Sequence, residues 1–108
     1  MEQERTPLKI EYGIDFTFVT FEDEQILEES QIRELQNSLE PVIDKNKEKQ
    51  LVLNFANVNF MTSAMLGLLV RIHKRVGERG GKLELRNLDK NLRKLFEITQ
   101  LTKIFNIS

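Results

Sequence analysis

Apolar and polar residues first alternate one by one along this chain, then recur at helical spacing, and then repeat that exchange. Leu8, Ile10 and Tyr12 alternate with Lys9 and Glu11, and Ile14, Phe16 and Phe18 with Asp15 and Thr17. Val19, Thr20 and Phe21 extend the second run in β-prone residues, and Gly13 parts the two. The pattern predicts a hairpin. Glu22 to Gln25 is a charged connection, and Ile26-Leu27 a brief apolar touch. From Ser30 a helical face begins, made of Ile32, Leu35, Leu39, Val42 and Ile43. Pro41 lies inside it and lacks the amide hydrogen a helix interior uses, which predicts a kink or break near Glu40. Lys45 to Gln50 reads as a polar loop.

Leu51-Val52-Leu53-Asn54-Phe55 is nearly continuous in apolar residues, as a strand buried on both faces is. Ala56 to Met61 connects it to a second helical face of Met65, Leu68, Leu69, Ile72 and Val76. Gly80 stands where that periodicity fails and suits the left-handed conformation of a helix end. Lys82 to Leu88 then alternates again, Leu83 and Leu85 against Glu84 and Arg86. Strand, helix and strand in succession form a parallel crossover, right-handed by strong default. Asp89 is positioned to cap a third helix with Leu92, Leu95 and Phe96 on its apolar face. Leu101, Ile104, Phe105 and Ile107 form an apolar tail expected to pack back on the body. The expected class is α/β, a small mixed β-sheet covered by helices in the order β-β-α-β-α-β-α. Residues 1–7 are expected to be a flexible arm and 8–108 a single domain.

A chain of 108 residues, 40% hydrophobic and 31% charged, has the length and composition of one globular domain. A formal net charge of −1 argues against nucleic acid or an anionic membrane as partner. Cysteine is absent, which removes disulfides, thiol chemistry and sulfur-ligated metals. No apolar run approaches the roughly 18 residues of a spanning helix, and the polar, acidic start Met1-Glu2-Gln3-Glu4-Arg5 is unlike a signal peptide. The expected location is the cytoplasm. The sequence has no Gly-rich phosphate loop ending in Lys-Ser/Thr, no metal-ligand spacing and no nucleophile–base pair. It is therefore read as a non-enzyme without cofactor or metal.

Thr62 and Ser63 stand together at the turn from the buried strand to the second helix. Ser63 is expected to cap, or immediately precede, a helix beginning near Ala64, a role worth about 1 kcal/mol. Neither Met65 nor Leu66 can complete a capping box. Met61 and Met65 flank the turn, as core or as adaptable contact residues. Arg71, Lys74, Arg75 and Arg79 make the helix basic towards its end, by dipole complementation or as a rim that steers an acidic partner. His73, the one histidine, is expected to be an exposed or half-buried helix residue.

Three stretches in this order resemble a STAS domain, the family of anti-sigma-factor antagonists and sulphate-transporter tails. They are Val58 to Gly67, Glu78 to Leu83 and Ile98 to Phe105. In the antagonists the turn reads Asp-Ser-Ser-Gly, and a partner anti-sigma factor with kinase activity phosphorylates the first serine. The resemblance therefore implies a regulatory binding module with Ser63 as phosphoacceptor and Thr62 as alternative. It implies a contact surface of Met61, Thr62, Ser63, Ala64, Met65, Arg71 and Arg75. The implied partners are an anti-sigma factor or related serine kinase, and a phosphatase. Thr62, Ala64 and Met65 depart from the acidic, second-serine and glycine positions. Those departures motivate the other reading, a STAS scaffold without the phosphorylation switch.

Overall fold

A computed structural model describes residues 7–108. The flexible arm expected for Met1 to Thr6 lies outside the described residues. Pro7 is buried, and its carbonyl accepts from the Glu22 N–H at 3.0 Å. The expected hairpin forms, β1 (Leu8–Tyr12) pairing antiparallel with β2 (Phe16–Phe21). However, β2 buries Thr17, Val19 and Phe21, while Ile14 and Phe16 of the expected apolar set are exposed. The chain continues through β3 (Gln25–Ile26), α1 (Glu29–Lys45), β4 (Gln50–Asn54), β5 (Phe60–Met61), α2 (Ser63–Glu78) and β6 (Lys82–Arg86). It ends in α3 (Lys90–Ile98), a short 3-10 turn (Leu101–Lys103) and β7 (Asn106–Ile107).

The main sheet has five strands in the order β1-β2-β4-β6-β7, parallel from β2 onwards. β3 and β5 form a second, two-stranded parallel sheet. Mixed sheet and helices agree with the expected class; β3, β5 and β7 are additional to the expected order. Strands of two residues leave no periodicity to read; main-chain pairing defines them, and Ile26 and Met61 anchor β3 and β5 in the core. The apolar tail packs back in part: Phe105 is buried against Phe96 edge-on at 5.6 Å and Ile107 is carried in β7 beside Leu85, while Ile104 is exposed.

Register puts Val19, Leu53 and Leu85 in one row, each fully buried beneath the helices. Each such side chain contributes about 1.5–3 kcal/mol by leaving water. α2 adds Met65, Leu68, Leu69, Ile72 and Val76 to the same core, and α1 adds Ile32, Leu35, Leu39, Val42 and Ile43. Both expected helical faces are thus the buried ones.

The break expected near Glu40 does not occur, because α1 runs through Pro41 to Lys45. Pro41 and Asn37, whose carbonyl the missing amide would have met, are both exposed, so water takes the vacancy. Leu39, Val42 and Ile43 anchor the turns on either side in the core. The strand expected to reach Leu88 stops at Arg86, where Asn87 turns to φ 62°.

Gly80 does take the left-handed conformation, at φ 76°. Its N–H donates to the Gly77 carbonyl and that of Gly81 to the Val76 carbonyl, both at 3.0 Å, which closes α2 in a Schellman arrangement. A Cβ on Gly81 would stand 2.5 Å from the Lys49 carbonyl oxygen. The backbone leaving α2 therefore passes directly against the loop before β4.

Candidate functional site

Ser63 is the first residue of α2, and Thr62 is its N-cap in extended backbone at φ −85°. This moves the expected helix start one residue earlier. The Thr62 hydroxyl oxygen is buried and makes no hydrogen bond among the described residues, so the cap is conformational only. Main-chain bonds hold the corner instead. The Thr62 N–H donates to the Ile26 carbonyl at 3.1 Å, and the Met65 N–H to the Thr62 carbonyl at 3.0 Å. Ser63 and Ala64 are exposed.

The small β3–β5 sheet is what fixes this corner, and Gln31 is what fixes the sheet. The Gln31 Oε1 accepts from the N–H groups of Leu27 (3.0 Å) and Glu28 (3.2 Å). Its Nε2 donates to the Gln25 carbonyl at 2.7 Å and to Asp23 Oδ2 at 3.2 Å. One side chain on the first turn of α1 thus pins β3, and β3 pairs Ile26 with Met61 immediately before Thr62. Sequence reasoning missed Gln31. The available signal was its place three residues after Glu28, the spacing at which a glutamine returns a bond to a helix start.

The first amides of α2 have no partner within the helix and carry the positive end of its dipole. A phosphate on Ser63 would stand in an anion-favouring position and bring about −1.5 to −2 charges. The surroundings combine exposed apolar side chains with charged and polar ones. Leu27 is 49% exposed and Phe60 51%, and both sit on the strands and turns that frame the corner. On one side a cleft of about 260 Å³ runs between β5 and α3, lined by Asn59, Phe60, Met61, Asn91, Leu92, Lys94, Leu95 and Ile98. On the other, a second cleft of about 260 Å³ between α1 and α2 includes Arg33, Ala64 and Arg71.

The structure redistributes the remaining residues of the expected surface. Met65 is fully buried and Met61 nearly so, at 8% exposure; they are core, not adaptable contact side chains, because both lie beneath the corner. Arg71 is exposed, with Nη1 3.9 Å from where a Cβ on Gly67 would stand. Arg75 is not a free rim cation: its Nη1 bonds both Glu40 carboxylate oxygens at 2.6 Å. Arg79 likewise engages Asp44, its Nε at 3.1 Å. The cations at the end of α2 therefore tie it to α1. His73 is half-buried with its ring edge-on to Phe105 at 5.5 Å, as a packing residue.

On the other face of the main sheet Glu84, 5% exposed, accepts four hydrogen bonds from three side chains. Arg86 Nε donates to it at 2.9 Å and Ser108 Oγ at 2.6 Å, with further bonds from Gln50 Nε2 and Arg86 Nη2. The Arg86 guanidinium first, and then the Ser108 hydroxyl, hold its carboxyl below the usual glutamate value, against the opposing effect of burial. No group of three or more potential metal ligands occurs among the described residues. No described helix is long and apolar enough to cross a membrane.

Comparison with known proteins agrees with this geometry. The family model of the STAS domain matches residues 14–108. The anti-sigma-B factor antagonist of Bacillus subtilis (strain 168) is 36% identical over 74 residues. That match spans 68% of this chain and 66% of the relative, just under two thirds of its length. An anti-sigma-factor antagonist (STAS) domain protein from Planctomyces limnophilus superposes with a TM-score of 0.84 at 16% identity, over 93% of this chain and 87% of that one. The Bacillus cell fate determinant SpoIIAA, solved in its phosphorylated form, gives 0.69 at 16% identity, over 94% and 90%. At those identities the two structures speak for the fold.

Proposed function

We propose a function from one premise: the chain belongs to the STAS domain family, the family of the anti-sigma-factor antagonists. It is a regulatory binding protein of the cytoplasm. Unmodified, it captures an anti-sigma factor of the ATP-binding kinase type and so frees a sigma factor. Phosphorylated on Ser63 by that kinase it lets go, and a phosphatase resets it.

The observation that carries this reading is an exposed seryl hydroxyl at the first position of α2, framed by exposed Leu27 and Phe60. An apolar surface of this kind suits a protein partner. A dianion at its edge would have to lose its hydration on binding, without a partner charge to offset that cost. The corner itself needs no rearrangement, since the phosphate would stand over the open amides of the helix. Thr62, the alternative acceptor, has its hydroxyl oxygen buried and is the weaker candidate. Of the expected contact residues, Ser63, Ala64 and Arg71 present exposed side chains.

The test is incubation of the purified protein with the anti-sigma kinase of the same organism and ATP, followed by intact mass. Wild type and Thr62→Ala gain one phosphate and Ser63→Ala none; equal labelling of Ser63→Ala refutes the site. Ser63→Glu should weaken binding at least tenfold, about 1.4 kcal/mol. Unchanged affinity supports instead a scaffold without the switch, the reading that Thr62, Ala64 and Met65 in the motif favour.

A further inference from the structure

The cleft between β5 and α3 is open to solvent, yet five of its lining side chains are apolar. Leu92 and Met61 form its floor at 1% and 8% exposure, and Leu95 is half-buried. Phe60 and Ile98 stand on its two banks, 51% and 72% exposed. α3 already buries Leu92 and Phe96 in the core, so the domain does not need an isoleucine at 98. Its volume of about 260 Å³ falls under the roughly 300–1,000 Å³ of small-molecule sites. That size suits an inserted side chain better than a cofactor.

Charge on α3 beside the cleft is mainly positive, three cations against the single carboxylate of Glu97. Lys94 is the charged residue in its lining. Lys90 and Arg93 are exposed on the same short helix, and none of the three has an ion pair among the described residues. Arg75 and Arg79, by contrast, are both taken up by acids of α1. The banks therefore complement an acidic surface.

We infer that this cleft receives an apolar anchor residue carried on an acidic amphipathic segment of the partner protein. The inference rests on the binding reading above and adds which part of the partner docks, and where. It also explains how one modification can govern release. Phe60 and Met61 lead directly into Thr62 and Ser63, so a segment seated in the cleft passes beside the seryl group. A phosphate there would oppose the acids of that segment, charge against like charge, while Lys94 is left without its counter-ion.

The experiment measures binding of the purified full chain to the anti-sigma kinase of the same organism, for wild type, Ile98→Glu, Lys94→Glu and Ile14→Glu. Ile14, 89% exposed in the hairpin turn, is the control. Both cleft variants should bind at least tenfold more weakly, with the control unchanged and all four melting alike. Lys94→Glu should also lose part of the salt dependence of the association rate. A photo-crosslinker at position 98 should label a partner peptide in which a large apolar residue is flanked by Asp or Glu. Cleft variants that bind like wild type, or a crosslink to a basic or wholly polar peptide, overturn the inference and leave the binding function standing. A wild type that binds no such kinase overturns both.

Discussion

Three glycines near the end of α2 provide a graded test of the packing described above, because an added methyl group meets something different at each. At Gly81 it would stand 2.5 Å from the Lys49 carbonyl oxygen and 3.2 Å from both Asn46 Nδ2 and Val76 Cγ1. That carbonyl cannot move cheaply, since it accepts from Lys82 N–H at 3.2 Å and from Asn46 Nδ2 at 3.0 Å. Forcing the contact costs the strain of overpacking, about 1–3 kcal/mol, and loosens two hydrogen bonds worth about 1 kcal/mol each. Gly81→Ala should therefore lose about 3 kcal/mol. At Gly80 the methyl group has an ordinary contact at 3.4 Å with Glu48 Cγ, and the cost is that of a left-handed alanine, about 1 kcal/mol. At Gly77 it meets nothing within 4 Å, so helix propensity alone decides. Gly77→Ala should gain roughly 0.5–1 kcal/mol. Urea melts of the three variants and wild type, fitted with a common m-value, read the order directly. A Gly81→Ala variant as stable as Gly80→Ala would show that the two loops do not meet as described.

Two further outcomes can be checked on the same preparations. Gln31→Ala should cost about 2 kcal/mol, since it strands polar groups that bond across the start of α1; amide exchange should rise in 25–27 and 60–62 ahead of the main sheet, and uniform exchange would refute its role as the latch. Glu84 has a folded pKa below its unfolded value, so its contribution is present above the ordinary glutamate range and is lost as pH falls through the lowered value. Wild type should therefore lose more stability than Glu84→Gln on going from neutral pH into that acid range, as followed by thermal melts; parallel curves would refute the assignment.

The helices were legible because periodicity reports burial: the faces of α1 and α2 are the ones buried, and Asp89 caps α3 by accepting from the Leu92 N–H at 2.9 Å. In the hairpin the alternation located the strands but not the face, since Thr17, Val19 and Phe21 are buried while Ile14 and Phe16 are exposed. What escaped was decided by tertiary contact. Pro41 is tolerated because it faces water, a property of helix orientation rather than of residues 40–42. β3 and β5 are too short for any pattern and exist because Glu24 and Ile26 carbonyls accept from Asn59, Phe60 and Thr62. The candidate site was located by resemblance, and Ser63 stands exposed at the first position of α2. Its walls were not legible: Met61 and Met65 looked equally fit for core or surface, and Ile98 and Phe60 only become neighbours when α3 packs beside β5.

Among the described residues, the ion pairs between acids of α1 and arginines of α2 lie at one end of the helix pair. Glu40 and Asp44 grip Arg75 and Arg79 near the two carboxyl-terminal ends. At the opposite end Arg33 and Arg71 share a cleft beside Ala64 and offer each other no bond. The two ends of the pair are therefore held by different forces: ion pairs at the far end, and beside Ser63 the buried Ile32, Leu35, Met65 and Leu68 of the common core. Raised salt would weaken the far end while leaving the end that carries the candidate site as it is.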